Sequence, residues 1–471
     1  MSLTKAVRHT LIQLTGRAFS TLFGVVALGV ITRYLGQEQF GWYTTITVFL
    51  QFFGILADFG LTLITAQMLA QPGADETKIT SNLFSLRLFI STVFFGSALI
   101  LVWFFPYPLI IKWGVWVYAA SLFAITLQNI FVGFYQKHTQ MERVAWGDVL
   151  GRGLILAGYI LCAILKLNIL LILAVSVVAN LAQLILLWSG VTKFVKIKFS
   201  FDKEIYKEAL TRSWPIAISI AFNLLYLKAD TLILSVIRPQ TEVGLYGAAY
   251  RVIDVLTSIP TIFMGIMLPL LTSSWILQNK EEYSKYFRRA FDLMSLAAWP
   301  LLIGGVILSS RIMSFVAGQN FSASGNYLQI LLVAMFCIFF GVISAHAILS
   351  LNKQKQMIKW YLLDAVLSLA GYFIFIPQFG AYGAAWVTVF SEAFIMLVTY
   401  IVVIKTTGIW PGLKISFKSL AASLIMAVAV IFLQSYNFIF ILSAAIITYF
   451  AVLYLLRGIT KKMFLALFKQ D

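Results

Sequence analysis

The chain has 471 residues, of which 61% are hydrophobic and only 11% are charged. Soluble domains carry about 25% charged residues, so this composition excludes an ordinary soluble protein. The net charge of +17 lies mainly in short segments between long apolar stretches. This placement indicates membrane orientation and contact with anionic headgroups, and argues against nucleic acid as a partner.

The apolar stretches predict an all-α integral membrane protein with about fourteen transmembrane helices. The basic N-terminal segment leads directly into the first stretch, which is too long for the apolar part of a signal peptide and is expected to be retained as a span. The predicted spans are 10–34, 41–69, 80–104, 113–135, 147–165, 169–191, 213–237, 243–275, 289–309, 326–350, 359–376, 380–404, 415–434 and 436–456.

Lysine and arginine are distributed unequally between the two sets of alternating loops. One set holds most of them, whereas the other set holds only Arg33, Lys112, Lys166, Arg238 and Arg311. The positive-inside rule therefore predicts that both termini are cytoplasmic.

Two short patterns recur along the chain. Gly41 and Tyr43 open the second span, and Gly244 and Tyr246 open the eighth, at an offset of 244 − 41 = 203 residues. The sequence Leu-Ala-Gly-Tyr occurs at 156–159 and again at 369–372. Because each predicted half holds six spans, an even number, the halves form a parallel repeat about an axis along the membrane normal.

These repeats predict four regions. They are an N-terminal six-helix lobe (1–191), a basic linker (192–212), a second six-helix lobe (213–404), and two additional helices with a basic cytoplasmic tail (405–471). Within the linker, Phe201, Ile205 and Ala209 share one face at helical spacing, which favours an interfacial helix on the cytoplasmic leaflet. A plain charged linker is the alternative.

Charged residues occur within the predicted spans, although each costs about 2.5–3.5 kcal/mol at a helix centre on insertion scales. They indicate a polar interior, as a transporter requires. They are Arg17, Asp58, Arg87, Arg152, Lys228, Asp230, Arg251 and Asp254.

Two segments carry a family resemblance. The first, at 34–43, has the pattern Tyr-Leu-Gly-x-Glu-x-Phe-Gly-x-Tyr. The second is Ala-Asp-Thr-Leu-Ile-Leu-Ser at 229–235, followed by Val-Gly-x-Tyr-x-x-Ala at 243–249. Together with the span count, they resemble the Wzx-type flippases of lipid-linked oligosaccharides, the polysaccharide-biosynthesis branch of the multidrug/oligosaccharidyl-lipid/polysaccharide exporter superfamily.

The resemblance implies two six-helix lobes around a central cleft lined by spans one, two, seven and eight, and transport by alternating access. It implies a transporter of the bacterial inner membrane, not an enzyme, for O-antigen or exopolysaccharide export. The implied cargo is a polyprenyl-pyrophosphate-linked glycan. Membrane lipids and other polysaccharide-assembly proteins are the further partners expected.

On that layout, Arg17, Lys228 and Arg251 are expected to hold the pyrophosphate, because phosphate recognition needs concentrated positive charge and several donors. The alternative is internal ion pairing of Arg17 with Asp58 and of Arg251 with Asp254. Counter-ions, or groups that couple transport to an ion, are expected at three carboxylates: Asp58, Asp230 and Asp254.

Other features are given structural roles. Arg87 and Arg152 are expected near cytoplasmic helix ends, with their charged groups reaching the headgroups. No role is assigned to Asp148, Asp364 or Glu392. Hinges are predicted at two prolines of spans seven and eight, Pro215 and Pro260, because proline removes a helical hydrogen bond.

Two other functions are weighed against the flippase. A cation- or proton-coupled multidrug exporter needs an acidic, aromatic cleft, whereas arginine occurs here in spans one and eight. A membrane polysaccharide polymerase needs catalytic groups on outer loops, but the longest predicted outer loop, 310–325, has no carboxylate or histidine. Neither a phosphate-binding G-x-x-x-x-G-K-[ST] motif nor a metal-ligand motif occurs, so no cofactor and no metal are expected.

Overall fold

The computed structural model describes the backbone of residues 3–458 and their side chains, except those of 3–14, 215–216 and 218–227. Helices account for the regular structure of the described residues. They are α1 (Leu3–Asp58), α2 (Leu61–Leu69), α3 (Glu76–Leu101), α4 (Leu109–Lys137), α5 (Met141–Ile164), α6 (Ile169–Val191), α7 (Lys203–Ile237), α8 (Gln240–Ile276), α9 (Lys280–Ala317), α10 (Ser324–Ser350), α11 (Gln354–Phe379), α12 (Ala381–Thr407), α13 (Leu413–Phe432) and α14 (Phe438–Leu455).

The all-α membrane fold predicted from the apolar stretches is confirmed. Twelve helical segments of the described residues are long and apolar enough to cross a membrane. One of them, Thr15–Leu69, covers most of the first predicted span and all of the second. The backbone turns between those spans at Gly36, whose φ of 68° and ψ of −177° are non-helical. Glycine suits this position because it has no Cβ to clash at positive φ.

The second span is broken, contrary to the prediction of one helix over 41–69. Helix α1 ends at Asp58 and α2 begins at Leu61. Between them Phe59 has φ 47° and Gly60 has φ 74°. Positive φ is incompatible with a continuous right-handed helix, so the span consists of two helical pieces. The span contains no proline, so the sequence offered no proline signal for this break.

The chain forms two compact units, Met1–Gly244 and Leu245–Asp471. The first has an apolar core in which Phe131 and Phe134 of α4 pack with residues of α2, α3 and the linker. In the second, Met426 and Tyr449 bring the additional helices α13 and α14 against Leu308 of α9. The lobe boundaries drawn from the sequence repeats stay a prediction.

The linker between α6 and α7 is an extended segment bonded to α3. Its backbone N–H groups at Lys198, Ser200 and Asp202 donate to the side chains of Ser81 (3.2 Å), Ser85 (3.1 Å) and Asn82 (2.6 Å), respectively. Side chains of α3 thus take the place of a neighbouring strand for this segment.

A separate interfacial helix over 201–210 is not formed. Asp202 accepts hydrogen bonds from the N–H groups of Glu204 and Ile205 and so caps one continuous helix, α7. Ala209 is fully buried in the core of the first unit, and Ile205 packs against that core. Two residues of the predicted apolar face, Ile205 and Ala209, therefore pack against protein, whereas Phe201 is exposed.

The repeated segments at 37–41 and 240–244 contact each other. A Cβ on Gly41 would collide with the backbone carbonyl of Gln240, and a Cβ on Gly244 would collide with the backbone carbonyl of Gln37. The Thr45 hydroxyl also donates to the Gln240 side-chain oxygen at 2.7 Å. The glycines are therefore required for backbone-to-backbone approach, a reason that the sequence repeat alone did not reveal.

Candidate functional site: charged groups within the spans

The carboxylate of Asp58 forms an ion pair with Arg87, and not with Arg17 as the pairing alternative supposed. Arg87 lies on α3 and is fully buried, so the expectation that it reaches the headgroups is wrong. Its second terminal nitrogen donates to the Thr62 hydroxyl at 3.1 Å. Asp58 ends α1 and Thr62 lies in the first turn of α2, so one guanidinium group bonds to both sides of the break.

Arg17 lies instead beside α5. Gly16 packs against Ala145, where an added Cβ would be 3.0 Å from the Ala145 methyl group. Arg17 is exposed, and both Arg17 and Arg152 interact electrostatically with Asp148 of α5. The predicted phosphate-binding arginine thus belongs to a group of charges shared by α1 and α5.

Arg152 lies farther along its helix than the predicted span implied. Helix α5 begins at Met141 rather than near 147, which places Arg152 roughly 16 Å along the helix. One terminal nitrogen of Arg152 would lie 3.6 Å from a Cβ on Gly24 of α1. Its charged group is therefore directed toward α1, and the expectation that it reaches the headgroups stays a prediction.

Asp148, to which no role was assigned, is held by α6. The Gln183 side-chain amide donates to Asp148 Oδ1 at 2.7 Å. Gln183 can approach because α5 has glycine at 147 and 151; a Cβ on Gly151 would be 2.8 Å from Gln183 Oε1. We call Arg17, Asp148, Arg152 and Gln183 the α1–α5 cluster. It contains two cations and one carboxylate.

The other predicted site residues lie on α7 and α8. Asp230 is fully buried and accepts bonds from the Thr231 backbone N–H at 2.5 Å and the Thr231 hydroxyl at 3.1 Å. Lys228 is half-buried on the same helix in the first unit. Arg251 is half-buried and Asp254 is exposed, one helical turn apart in the second unit. Their roles in binding or coupling stay predictions.

The two predicted hinges also stay predictions. Pro260 lies inside α8, which runs from Gln240 to Ile276. Pro215 lies within α7, but its side chain is outside the described part of the structure.

A second buried polar group lies in the other unit and was missed by sequence reasoning. Asp364 of α11 is fully buried and accepts hydrogen bonds from the Ser391 hydroxyl at 2.7 Å and from the Ser368 hydroxyl at 3.4 Å. Glu392 of α12 follows Ser391 and is 9% exposed. The serine at i+4 from Asp364 was the local signal available, but only the packing of α11 on α12 brings the two acids together. Among the described residues, no group of three or more metal-binding side chains could hold a metal ion.

Comparison with known proteins gives consistent matches. The family model described as polysaccharide biosynthesis protein matches residues 6–275. A Shigella dysenteriae protein named "Putative O-antigen transporter" is 22% identical over 394 residues, covering 80% of this chain and 94% of that protein. A Shigella flexneri protein of the same name is 23% identical over 402 residues, with coverages of 80% and 93%.

Solved structures of two transporter types share the fold. The lipid II flippase MurJ in an inward closed conformation has a TM-score of 0.75 at 14% identity, covering 94% of this chain and 98% of that one. An inward-facing multidrug resistance MATE family transporter has a TM-score of 0.67 at 15% identity, with coverages of 84% and 98%. The family match extends over more than half of the sequence, and the chain belongs to the polysaccharide biosynthesis protein family.

Proposed function

We propose that the protein is a flippase that moves a polyprenyl-pyrophosphate-linked oligosaccharide from the cytoplasmic to the outer leaflet by alternating access. It would serve cell-surface polysaccharide biosynthesis in the bacterial inner membrane, with both termini cytoplasmic. The relatives named as O-antigen transporters support transport of a lipid-linked glycan and argue against an enzyme.

The observation that carries the proposal is the composition of the α1–α5 cluster. Arg17 and Arg152 are both exposed although they lie within spanning helices, and Asp148 is the carboxylate between them. A charged group in a span faces a polar cavity or a partner, since hydrocarbon does not solvate it. Two guanidinium groups against one carboxylate leave net positive charge, which suits a pyrophosphate.

Arg251 and Lys228 are proposed to contribute further positive charge to the cargo during transport. Asp58 is proposed as a structural counter-ion because its partner is the buried Arg87. Asp230 and Asp254 are proposed as counter-ions. Pro215 and Pro260 are proposed to bend during the change of access.

The membrane potential can drive this reaction without a nucleotide. A pyrophosphate with about two negative charges moving outward across ~100 mV gains up to about 4.6 kcal/mol, at about 2.3 kcal/mol per charge. A cationic drug would gain nothing from the same field in the outward direction. The net positive charge of the α1–α5 cluster is a separate reason to favour an anionic lipid over a cationic drug as cargo.

The experiment uses vesicles of the purified chain with a fluorescent polyprenyl-pyrophosphoryl sugar in one leaflet. We expect fast movement for wild type, and roughly 10- to 100-fold slower movement for Arg17→Ala and Arg152→Ala, since a hydrogen bond to a charged group contributes about 1.5–3 kcal/mol. Lys414→Ala, a change of an exposed lysine at the start of α13, is the matched control and should move the lipid normally. Absence of lipid movement at any voltage or pH gradient, with extrusion of cationic dyes, would assign the protein to drug export.

A further inference from the structure

A cavity of about 680 Å³ lies between the start of α11 and the end of α12, wholly within the second unit. Its volume falls within the range of about 300–1,000 Å³ that is typical of small-molecule sites. Its lining residues come from the two helices and the residue that precedes α11: Lys353, Gln356, Lys359, Trp360, Val398, Ile401, Val402, Lys405 and Thr406.

The charge of the cavity is positive. Lys353, Lys359 and Lys405 line it, and no carboxylate does. None of the ion pairs formed among the described residues involves these three lysines. Helix α11 also begins here, at Gln354, and its N-terminal N–H groups add positive potential. The C-terminal end of α12 carries partial negative charge, and Lys405 in its last turn offsets that charge.

The remaining lining residues are suited to a lipid chain. Val398 and Val402 are buried and form an apolar wall on α12, while Ile401 is 50% exposed beside them. Lys359 Nζ lies 5.3 Å from the centre of the Trp360 ring, so a cation–π contact holds this lysine above an aromatic surface. Cationic groups at one end and aliphatic groups along the wall match a molecule with a phosphate head and a hydrocarbon chain.

We propose that this cavity binds an anionic phospholipid, with its phosphate between the three lysines and its acyl chain against Val398, Ile401 and Val402. Basic pockets between spanning helices on the cytoplasmic side are suited to anionic headgroups. The loop between α10 and α11 belongs to the lysine-rich set, so the lipid comes from the leaflet predicted to be cytoplasmic. The site shares no residue with the α1–α5 cluster and does not depend on the identity of the cargo.

Native mass spectrometry of the full chain in neutral detergent tests the proposal. Phosphatidylglycerol is titrated against phosphatidylcholine and, separately, against inorganic phosphate. We expect preferential binding of phosphatidylglycerol. The binding should weaken about fivefold for each of Lys353→Gln, Lys359→Gln and Lys405→Gln, and on the order of 100-fold for the triple variant. The matched control replaces three exposed lysines of the same unit outside the cavity, Lys280, Lys285 and Lys414, and should bind as wild type does.

A second variant keeps the charge and tests the apolar wall. Ile401→Trp fills the space beside the lysines at a position already half exposed. It should weaken phosphatidylglycerol binding about tenfold, the effect of removing about two CH₂ groups of the acyl chain from the apolar wall. Equal loss in the control triple, or equal binding of phosphatidylcholine, would overturn the proposal. Displacement of the lipid by inorganic phosphate to the same extent in wild type and in Ile401→Trp would also overturn it. So would preferential binding of a polyprenyl phosphate over phosphatidylglycerol.

Discussion

The buried guanidinium group of Arg87 on α3 forms an ion pair with the carboxylate of Asp58, the last residue of α1. This pair joins the third span to the second span at its break. Because Arg87 also bonds Thr62 of α2, it holds both helical pieces in place. A buried cation with a carboxylate and a hydroxyl as partners is stabilising only while both partners remain.

We expect Arg87→Met to destabilise the protein by about 3 kcal/mol, since it leaves the partly buried carboxylate of Asp58 without its cation. Asp58→Asn should also destabilise, because it leaves the charge of Arg87 uncompensated. The double variant should be less destabilised than the sum of the two. Thermal unfolding in detergent measures all three. Additive effects of the two changes would show that the pair contributes no coupling energy.

The contact between the repeated segments predicts a strong effect of two methyl groups. Gly41→Ala and Gly244→Ala each place a Cβ into a backbone carbonyl, which no side-chain rotation can relieve. We expect each change to lower the unfolding temperature or prevent folding. Overpacking typically lowers the free energy of unfolding by about 1–3 kcal/mol, and a collision with backbone should cost at least that much.

Gly96→Ala provides the control for those substitutions. Gly96 also lies in a spanning helix, but nothing lies within 4 Å of its added Cβ. Alanine favours a helix over glycine by about 1 kcal/mol, so this variant should be as stable as wild type or slightly more stable. A wild-type unfolding temperature for Gly41→Ala would contradict the close approach of the two backbones.

The bonds between α3 and the linker predict local protection from exchange. Asn82 is fully buried and accepts the Asp202 N–H at 2.6 Å. In Asn82→Ala that N–H loses its acceptor, so we expect faster hydrogen exchange across 198–202 with the spans unchanged. Thr92→Ala is the control, because the Thr92 hydroxyl bonds only within α3, to Leu88 O. Unchanged exchange of the linker in Asn82→Ala would show that it is held by packing alone.

The same segment has a predicted pH dependence. The hydrogen bond from Lys78, at 2.6 Å, and the bonds from the backbone N–H groups of Ile205 and Glu204 lower the pKa of Asp202 below its ordinary value. A lowered folded-state pKa stabilises the folded linker above the unfolded value of about 3.9, and this stabilisation is lost as the pH falls through the folded pKa.

Pepsin cleavage measures that loss, since Phe199 and Phe201 of the linker are exposed. Relative to an unfolded peptide of the same sequence, cleavage at 199–202 should increase from pH 4 to pH 2 in wild type. Asp202→Asn keeps a good helix cap but lacks the charge, so its relative cleavage should not change between the two pH values. A wild-type ratio independent of pH would exclude a role for the Asp202 charge.

Span positions and family were predictable because a bilayer imposes a minimum apolar length that is visible in any window of the sequence. The break at Phe59 and Gly60 was not, because the apolar length continues through it and no proline marks it. Asp58 followed by Gly60 was the available signal, since glycine often follows a helix end.

Pairing of charges was the least predictable part. Neither Arg17 nor Arg87 is close to Asp58 in the sequence. Asp58 pairs with Arg87 because of the way α3 packs against α1 and α2, which the sequence does not display. Likewise, Ile205 and Ala209 lie on a helix as their spacing predicted, although Phe201 precedes it. Burial by protein and burial by lipid select the same side chains, so the sequence does not distinguish Ala209 against a protein core from Ala209 against acyl chains.

The contact of Gln37 with Gly244 and of Gly41 with Gln240 exchanges equivalent positions, since 240 − 37 and 244 − 41 both equal 203. This reciprocity defines an isologous interface, the kind that two identical subunits form about a two-fold axis.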